Sequence, residues 1–386
     1  MNNGQRDSRE RIPAQSRRKR GRSLKYVRRH GGVNPGYIIF AVVVILILAV
    51  SLFFIFRSKN EAPRATENTA DTAAESETPG REEEKTVTFI DVPTSDSAAG
   101  DLILVNYDHA YVFPEKDDLV NVYENKTDDF KVAYSDYMMD KNVLDVLISL
   151  THELSAATGE DDLTVNSAYR TLEEQREIYD EYRETWGEET AKLYVADPGF
   201  SEHHTGIAAD LTLVRDDGTA LPITRSEAYD EIMRLLRDHG FILRYPEGKK
   251  EITRIETEPW HFRYVGLPHS LIIEKAGLCF EEYIGLLKNF TSGGSVLFLS
   301  GNGKLSSVPF AESSFAGPGY AIYRVPAGSG ETTRIPVPYG ADAPSVSGDN
   351  DGGFIVTVRF GDVSPSRVVS VGDDVSAFYE KTAPAD

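Results

Sequence analysis

The segment Ser201-Glu-His-His-Thr-Gly-Ile-Ala-Ala-Asp210 and the shorter segment Glu258-Pro-Trp-His261, about fifty residues later, together contain three imidazoles and two carboxylates of chemical interest. Zinc in hydrolases usually takes three nitrogen or oxygen ligands from the protein and leaves a fourth position for water, whose pKa it lowers to roughly 7. Asp210, His261 and one histidine of the first segment supply such a ligand set, and Glu258 supplies a base for the water proton. The two segments therefore predict a catalytic zinc site.

The chain around these segments predicts how the site is supported. Residues 207–214 form a mostly apolar, partly β-branched run, which is typical of a buried strand and places Asp210 on that strand. Pro259 disfavours the helical region for the residue before it, so Glu258 and His261 are not predicted to lie on a regular helix. We therefore expect a rigid strand under Asp210 and an extended chain at Glu258.

Three sequence blocks follow one another in a defined order. They are Ser167-Ala-Tyr-Arg170-Thr with Gln175 five residues after the arginine, the SxHxxGxAxD pattern from Ser201, and the ExWH pattern from Glu258. This frame resembles the VanY-type zinc D-alanyl-D-alanine carboxypeptidases, a family of bacterial cell-wall peptidases, over roughly residues 101–289. The residues alone do not decide between His203 and His204. The resemblance implies that His203, Asp210 and His261 bind zinc, because the family's first ligand stands two residues after the serine.

The resemblance also implies roles for residues outside the metal set. Arg170 is expected to stabilise the negative charge that amide hydrolysis builds on the carbonyl oxygen, with a structural salt bridge as the alternative. Ser201 and Gln175 match positions where the family contacts substrate, although each could equally be a local cap or turn residue. His204 stands where the family often has glutamine, and it either lines the cleft or lies on the surface.

The function implied by the resemblance is that of a zinc D,D-carboxypeptidase that removes the C-terminal D-alanine from peptidoglycan stem peptides. An L,D-carboxypeptidase or a peptidoglycan endopeptidase would use the same metal site, since specificity lies in pocket contacts. A non-catalytic cell-wall binding module is a third alternative, which the presence of Glu258 and of all three ligands disfavours. The sequence indicates no oligomeric state.

The first hundred residues predict a membrane anchor and a stalk. Residues 37–56 carry no charge, and at about 1.5 Å per residue they are long enough for a helix through a bilayer core of roughly 30 Å. Residues 1–36 are basic, so the positive-inside rule places them in the cytoplasm and the rest of the chain outside the cell. A cleaved signal peptide is the alternative. Residues 57–100 are rich in Ala, Thr, Glu, Ser and Pro, which predicts a disordered stalk.

The charge distribution separates the two ends of the chain. The first thirty residues contain eleven basic and two acidic side chains, a net charge of +9, which leaves −29 of the total of −20 to the rest of the chain. An acidic exterior does not suit nucleic acid, whose binding depends on basic side chains that release counterions from phosphates. We therefore predict contact between the basic tail and anionic lipid, and no nucleic-acid partner.

The remaining patterns predict an α+β zinc peptidase domain over residues 101–290, a small antiparallel sheet with helices, followed by a small all-β module over residues 291–386. The domain is expected to contain a strand at 102–105 and helices at 142–157, 172–185, from Thr224 to Gly240, and 270–288. The module consists of short alternating or β-branched runs separated by Gly, Pro, Asn and Asp. It contains no histidine, so either wall binding, spacing or passive packing is its expected role.

Overall fold

The computed structural model describes residues 87–310, 315 and 317–363, which all lie in one compact unit spanning Arg81–Asp386. The predicted basic tail, the anchor at residues 37–56 and residues 57–86 of the predicted stalk lie outside the described residues. Among the helices of the described ranges, none is both long enough and apolar enough to cross a membrane.

The strands of the described residues are, in chain order, β1 (Val87–Pro93), β2 (Leu119–Asn121), β3 (Lys131–Val132), β4 (Met138–Asp140), β5 (Leu163–Ser167), β6 (Ala208–Val214), β7 (Ala220–Leu221), β8 (Phe241–Leu243), β9 (His261–Tyr264), β10 (Ser295–Ser300), β11 (Leu305–Pro309), β12 (Gly319–Pro326), β13 (Thr332–Pro338), β14 (Ser345–Gly348) and β15 (Gly353–Phe360). The α-helices are α1 (Val122–Asn125), α2 (Lys141–Thr158), α3 (Leu172–Trp186), α4 (Glu188–Tyr194), α5 (Tyr229–Asp238), α6 (Lys250–Thr253), α7 (His269–Ala276) and α8 (Phe280–Leu287). Short 3-10 helices occupy Thr94–Ala98, Glu202–Thr205 and Ile223–Arg225.

The first sheet places the predicted site. Its strand order is β3-β5-β6-β9-β8, with β7 paired to β6, and every pair is antiparallel except β3 with β5. In this register Asp210 on β6 stands opposite His261 on β9 and opposite Ser167 on β5. The pairing therefore brings the two segments, about fifty residues apart in sequence, to one point of the sheet. The predicted α+β fold with a small sheet is confirmed for this part.

Helix α2 supports this sheet from one face. It matches the helix predicted at residues 142–157, and the Asp140 carboxylate accepts hydrogen bonds from the backbone N–H groups of Asn142 and Val143 at its start. Leu147, Leu150 and Leu154 are buried in one hydrophobic cluster with side chains of β6 and β9. The helical spacing of these leucines places them on one face of α2, which packs against the sheet. Burial of this apolar face stabilises the helix far more than the intrinsic helix propensity of its residues does.

The predicted strand at residues 102–105 is wrong. The segment is buried, but its backbone groups pair with side chains and with a distant loop: Arg263 donates to the carbonyl of Ile103, and the N–H of Leu104 donates to the carbonyl of Asp349. An apolar run can be buried outside a sheet when such partners satisfy its polar backbone atoms. Local sequence does not contain this information, since the partners lie far along the chain.

The helix predicted from Thr224 to Gly240 begins later than expected. The chain makes a 3-10 turn at Thr224, and α5 begins at Tyr229, after the Ser226 hydroxyl accepts a hydrogen bond from the N–H of Ala228. The predicted end at Gly240 is confirmed, since this residue has φ +91° directly after the last turn.

The helical stretch predicted at residues 270–288 is two helices. Gly277 ends α7 with φ +64°, a conformation that glycine adopts without the penalty other residues carry. Glu282 then accepts a hydrogen bond from the N–H of Cys279 and starts α8. The break separates two short helices, each of which buries an apolar face.

The second part of the fold is a five-stranded antiparallel sheet of order β11-β10-β12-β15-β14. Leu297, Ile322 and Ile355 of this sheet share one hydrophobic cluster with Leu271 of α7 and Ile284 of α8. The described secondary-structure elements between residues 295 and 360 are all strands, and the bounds of the module at residues 291–386 stay a prediction. The two parts have a common core, so the second sheet packs on helices of the predicted zinc peptidase domain.

Strand β1 corrects the predicted stalk. It pairs antiparallel with β13 from Val87 to Pro93, within the range 57–100 that the composition predicted to be disordered. Val87, Ile90 and Val92 pack against the hydrophobic cluster of the second sheet. This short apolar run lies at the end of a polar segment, so an average over the whole segment hides it.

Candidate metal centre

Three predicted ligands converge at the centre of the first sheet. His203 comes from the 3-10 helix Glu202–Thr205, Asp210 from β6 and His261 from the start of β9, and each offers one atom within 4.8 Å of the others. Asp210 Oδ1 lies 3.4 Å from His203 Nε2 and 3.1 Å from His261 Nδ1. One carboxylate oxygen therefore faces both imidazoles.

The two imidazoles present different nitrogen atoms. His203 donates from Nδ1 to the carbonyl oxygen of Ala168 over 2.6 Å, which leaves the lone pair of Nε2 directed at Asp210. His261 has the opposite arrangement, because its Nδ1 faces Asp210 while its Nε2 lies 3.5 Å from Oε2 of Glu202. In each ring, the group behind it fixes which nitrogen remains as a ligand.

The donor set fits a metal ion. Asp210 Oδ1 is buried and has no hydrogen-bond partner among the described residues, although the other oxygen of the carboxylate accepts from Arg170. A buried polar atom without a partner costs roughly 1–3 kcal/mol, and more when it is charged. A cation bound between this oxygen and the two imidazoles would supply the missing partner. Two imidazole nitrogens and one carboxylate oxygen are a common zinc set.

The electrostatics of the two histidines differ. Burial lowers the pKa of His203 to about 4, and the positive charge of Arg170 acts in the same direction. Burial also opposes the charged form of His261, but the carboxylates of Asp210 and Glu202 outweigh it and raise its pKa to about 9. A metal ion needs neutral imidazole, so metal binding at neutral pH would release a proton from His261.

Glu258 is a buried carboxyl beside the ligands. Its Oε2 lies 3.8 Å from His261 Nδ1, and its backbone N–H donates to the carbonyl of Tyr245, which fixes the loop before β9. Burial raises the pKa of Glu258 to about 8, and the charge of Asp210 adds to the effect. A bound cation nearby would favour the ionised carboxylate. The group can then accept a proton at neutral pH.

Arg170 is held beside the metal ligands by four hydrogen bonds. Its Nε and Nη2 donate to Ser167 Oγ over 3.0 and 2.8 Å, and Nη1 donates to Gln175 Oε1 over 3.2 Å. Nη2 also donates to Asp210 Oδ2 over 3.1 Å. The guanidinium is thus fixed in orientation, as a group that stabilises developing negative charge must be.

The two predicted substrate-binding residues make contacts inside the protein. Gln175 is buried, accepts from Arg170 and donates from Nε2 to the carbonyl of Ala196 over 2.8 Å. Ser201 is buried as well, and its Oγ accepts from the N–H of His203 over 3.3 Å. The geometry places Gln175 behind Arg170 and Ser201 at the cap of the 3-10 helix that carries His203.

His204 is fully buried, so the surface alternative for this residue is wrong. Its Nδ1 donates to the carbonyl of Arg170 over 2.8 Å, and its Nε2 accepts from the N–H of Gly199 over 3.1 Å. The ring of Phe113 packs against it at 4.9 Å. Both nitrogens therefore hold backbone around Arg170 and leave none for the metal.

Glu202 is the site residue that sequence reasoning missed. Its Oε1 accepts from Arg244 Nε and from Arg263 Nη1, each over 2.8 Å, and all three side chains are fully buried. The two arginines hold the pKa of Glu202 below its usual range against the opposing effect of burial. The sequence signals only that Arg244 and Arg263, in or directly after predicted buried segments, need partners, and it does not identify Glu202 as that partner.

Comparison with known proteins adds independent information. The sequence model of the family described as VanY: D-alanyl-D-alanine carboxypeptidase matches residues 136–267. The chain is 47% identical over 134 residues, 34% of this chain and 70% of the relative, to a protein of Enterococcus gallinarum named bifunctional D-Ala-D-Ala dipeptidase and D-Ala-D-Ala carboxypeptidase VanXYC. It is 31% identical over 267 residues, 67% of this chain and 75% of the relative, to a D-alanyl-D-alanine carboxypeptidase of Enterococcus faecium.

A solved structure is similar over a larger region. It is the vancomycin resistance D,D-dipeptidase VanXYg in complex with a D-Ala-D-Ala phosphinate analogue, with a TM-score of 0.58 and 32% identity. The likeness covers 71% of this chain and 99% of that chain. It therefore extends well beyond the region that the family model matches.

Proposed function

The chain belongs to the VanY D-alanyl-D-alanine carboxypeptidase family, and from this premise we propose that it is a zinc enzyme that removes the terminal D-alanine from peptidoglycan stem peptides. The observation that carries the proposal is the position of Asp210 Oδ1, which faces two imidazoles within 3.4 Å and has no other partner among the described residues. Glu258 and Arg170 flank this oxygen with the charges that amide hydrolysis requires.

His203, Asp210 and His261 would hold the zinc ion. When bound, zinc polarises the scissile carbonyl and makes water a stronger nucleophile at neutral pH. Glu258 takes a proton from the attacking water while the water oxygen bonds to the carbonyl carbon. It returns that proton to the amine nitrogen of D-alanine when the carbon–nitrogen bond breaks. Base and acid are thus one side chain, which ends the cycle in its starting state.

Arg170 stabilises the negative charge on the carbonyl oxygen during the attack. Ser167 and Gln175 fix the orientation of its guanidinium group, so little reorganisation is needed when negative charge develops on the carbonyl oxygen. The bond from Nη2 to Asp210 Oδ2 also couples the guanidinium to the metal ligand. Gln175 acts here as a support for Arg170.

D,D-dipeptidase activity is a second candidate function. The solved D,D-dipeptidase aligns over 99% of its own length, and the relative from Enterococcus gallinarum is named for both activities. The same residues would cleave free D-Ala-D-Ala, since the scissile bond is identical. Discrimination between the free dipeptide and the stem peptide would then depend on whether the cleft accepts the longer peptide. L,D-carboxypeptidase and endopeptidase activities use the same chemistry and remain as alternatives.

We also propose that residues 37–56 anchor the enzyme in the cell membrane, with the catalytic part outside the cell. The apolar length of this segment and the basic residues before it support the proposal. A stem peptide is an extracellular substrate, which fits the same orientation. Protease treatment of intact cells tests it, because an extracellular catalytic part is cleaved while the basic tail stays protected.

The activity test uses the full chain purified in detergent. Release of D-alanine is measured from a pentapeptide stem, a tetrapeptide stem and free D-Ala-D-Ala, with a chelator and then with added zinc. Release from the pentapeptide that the chelator abolishes and zinc restores is the expected result. Release from the tetrapeptide would assign an L,D-carboxypeptidase, and cleavage of the dipeptide alone would assign a dipeptidase. No release from any of them would contradict the proposal.

A further inference from the structure

The two histidine ligands are supported by different chemical groups. Behind His203 stands a neutral carbonyl, that of Ala168, whereas behind His261 stands the carboxylate of Glu202 at 3.5 Å. Glu202 Oε2 and His261 Nε2 are both buried, and neither has a hydrogen-bond partner among the described residues. The two atoms face each other at a distance just beyond a normal hydrogen bond, so they are the available partners for one another.

Glu202 is fixed by its other oxygen. Oε1 accepts from both Arg244 and Arg263, and neither arginine is exposed. Arg244 also donates to both oxygens of Glu281, over 2.9 and 2.6 Å. Arg263 donates to the carbonyls of Asp101 and Ile103 over 2.9 and 3.0 Å. The carboxylate therefore cannot rotate away without breaking two charged hydrogen bonds.

The two carboxylate oxygens of Glu202 have different partners, and this difference has a chemical consequence. A carboxylate behind an imidazole accepts the ring N–H, fixes the tautomer and raises the basicity of the nitrogen that binds metal. We propose that Glu202 is a positioning residue for the metal centre, which holds His261 with its proton on Nε2 and its lone pair on Nδ1 toward Asp210. The inference rests on the proposed zinc function and adds a residue to it that touches neither metal nor substrate.

A matched pair of variants separates this role from a purely structural one. Glu202→Gln and Glu281→Gln each remove one negative charge from the same arginine network at nearly constant volume. Glu202 faces His261, whereas Glu281 accepts hydrogen bonds from Arg244 and Asn106. A role confined to neutralising the arginines predicts the same result for both variants. A role in positioning His261 predicts an effect for Glu202→Gln alone.

The measurement is zinc affinity of the full chain by competition with a chromophoric chelator, with the visible spectrum of the cobalt-substituted protein as a second readout. We expect Glu202→Gln to lower zinc affinity by about 10–100-fold and to alter the cobalt spectrum, since loss of such partners usually has that effect. Glu281→Gln is expected to keep the wild-type affinity and spectrum. The value of kcat should follow zinc affinity across the series.

Glu202→Asp keeps the test decisive if Glu202→Gln does not fold. It retains the charge for the arginines but shortens the reach toward His261, so its zinc affinity is also expected to fall. Wild-type affinity in whichever of these Glu202 variants folds would overturn the inference, and so would an equal loss in Glu281→Gln. A wild-type protein that binds no zinc would instead contradict the proposed function, before any variant is compared.

Discussion

The two largest sheets of the described residues differ in what they bury. The part around β6 and β9 encloses charged side chains, among them Glu202, Arg244, Arg263, Glu258 and the metal ligands, whereas the described residues beyond 291 bury a single charged group, Asp349. Burying a charge costs free energy unless partners compensate for it, and burying apolar surface contributes stability. The difference indicates that the first sheet carries the chemistry at a cost in stability, while the second contributes apolar packing.

The largest expected effect comes from Glu258. Replacing it with glutamine keeps the volume but removes the proton acceptor, so we expect kcat to fall by about 10²–10⁴-fold with zinc still bound. Because burial raises the pKa of this carboxyl to about 8, the charged form is disfavoured in the metal-free protein at neutral pH. The metal-free variant should therefore be at least as stable as the wild type in urea. Activity and zinc content measured together test this, and unchanged kcat would remove the assigned base.

Arg170→Lys is expected to have the next largest effect. Lysine supplies the charge but not the planar fork that contacts Ser167, Gln175 and Asp210. We expect a loss of about 10²–10³-fold in kcat, the size seen when one group that stabilises an oxyanion is removed. Arg234→Lys is the control, since Arg234 forms salt bridges with Glu231 and Asp238 of α5 and with Glu153 of α2, and none of these is a site residue. If both variants have the same kcat, Arg170 forms a structural salt bridge and does not stabilise the oxyanion.

Ile355→Val tests the other side of the comparison. Ile355 is buried in the cluster that joins β15 to α7 and α8, and deletion of one methyl group there should cost roughly 0.5–1.5 kcal/mol of unfolding free energy. The value of kcat at 25 °C should stay unchanged, because the hydrophobic cluster of Ile355 contains none of the site residues. A large loss of activity without loss of stability would show that the second sheet takes part in the chemistry.

The same comparison explains what the sequence could predict. Asp210 and the helix containing Leu147 and Leu150 were predictable, because a short apolar run and a period-3.6 pattern report directly on burial. Glu202 was not, since its role depends on Arg244 and Arg263, which join it only when β8 and β9 pair. The ligand frame could be read from neighbouring residues. The supporting charges required knowledge of the tertiary structure.

His269 gives the smallest expected effect at neutral pH, and it lies where the two parts meet. Its Nδ1 lies 2.7 Å from the hydroxyl of Tyr283 on α8, and its Nε2 lies 3.0 Å from Thr357 Oγ1 on β15. Burial lowers the pKa of His269 to about 3, while an unfolded chain has a histidine pKa near 6.5. Between these values the unfolded state binds a proton that the folded state does not. Acid therefore favours unfolding through this residue.

The expected slope is about 1.4 kcal/mol of unfolding free energy per pH unit below pH 6 for this group, which is the limit for one proton. His269→Gln keeps a donor and an acceptor but does not titrate, so its urea unfolding should be less sensitive to pH by that amount between pH 4 and 6. His152→Gln is the matched control, because it replaces an exposed histidine on α2 rather than a buried one. If wild type and His269→Gln have equal pH slopes, the contact between the two parts tolerates a charged imidazole. The apolar character of the second part would then not extend to its contact with the first part.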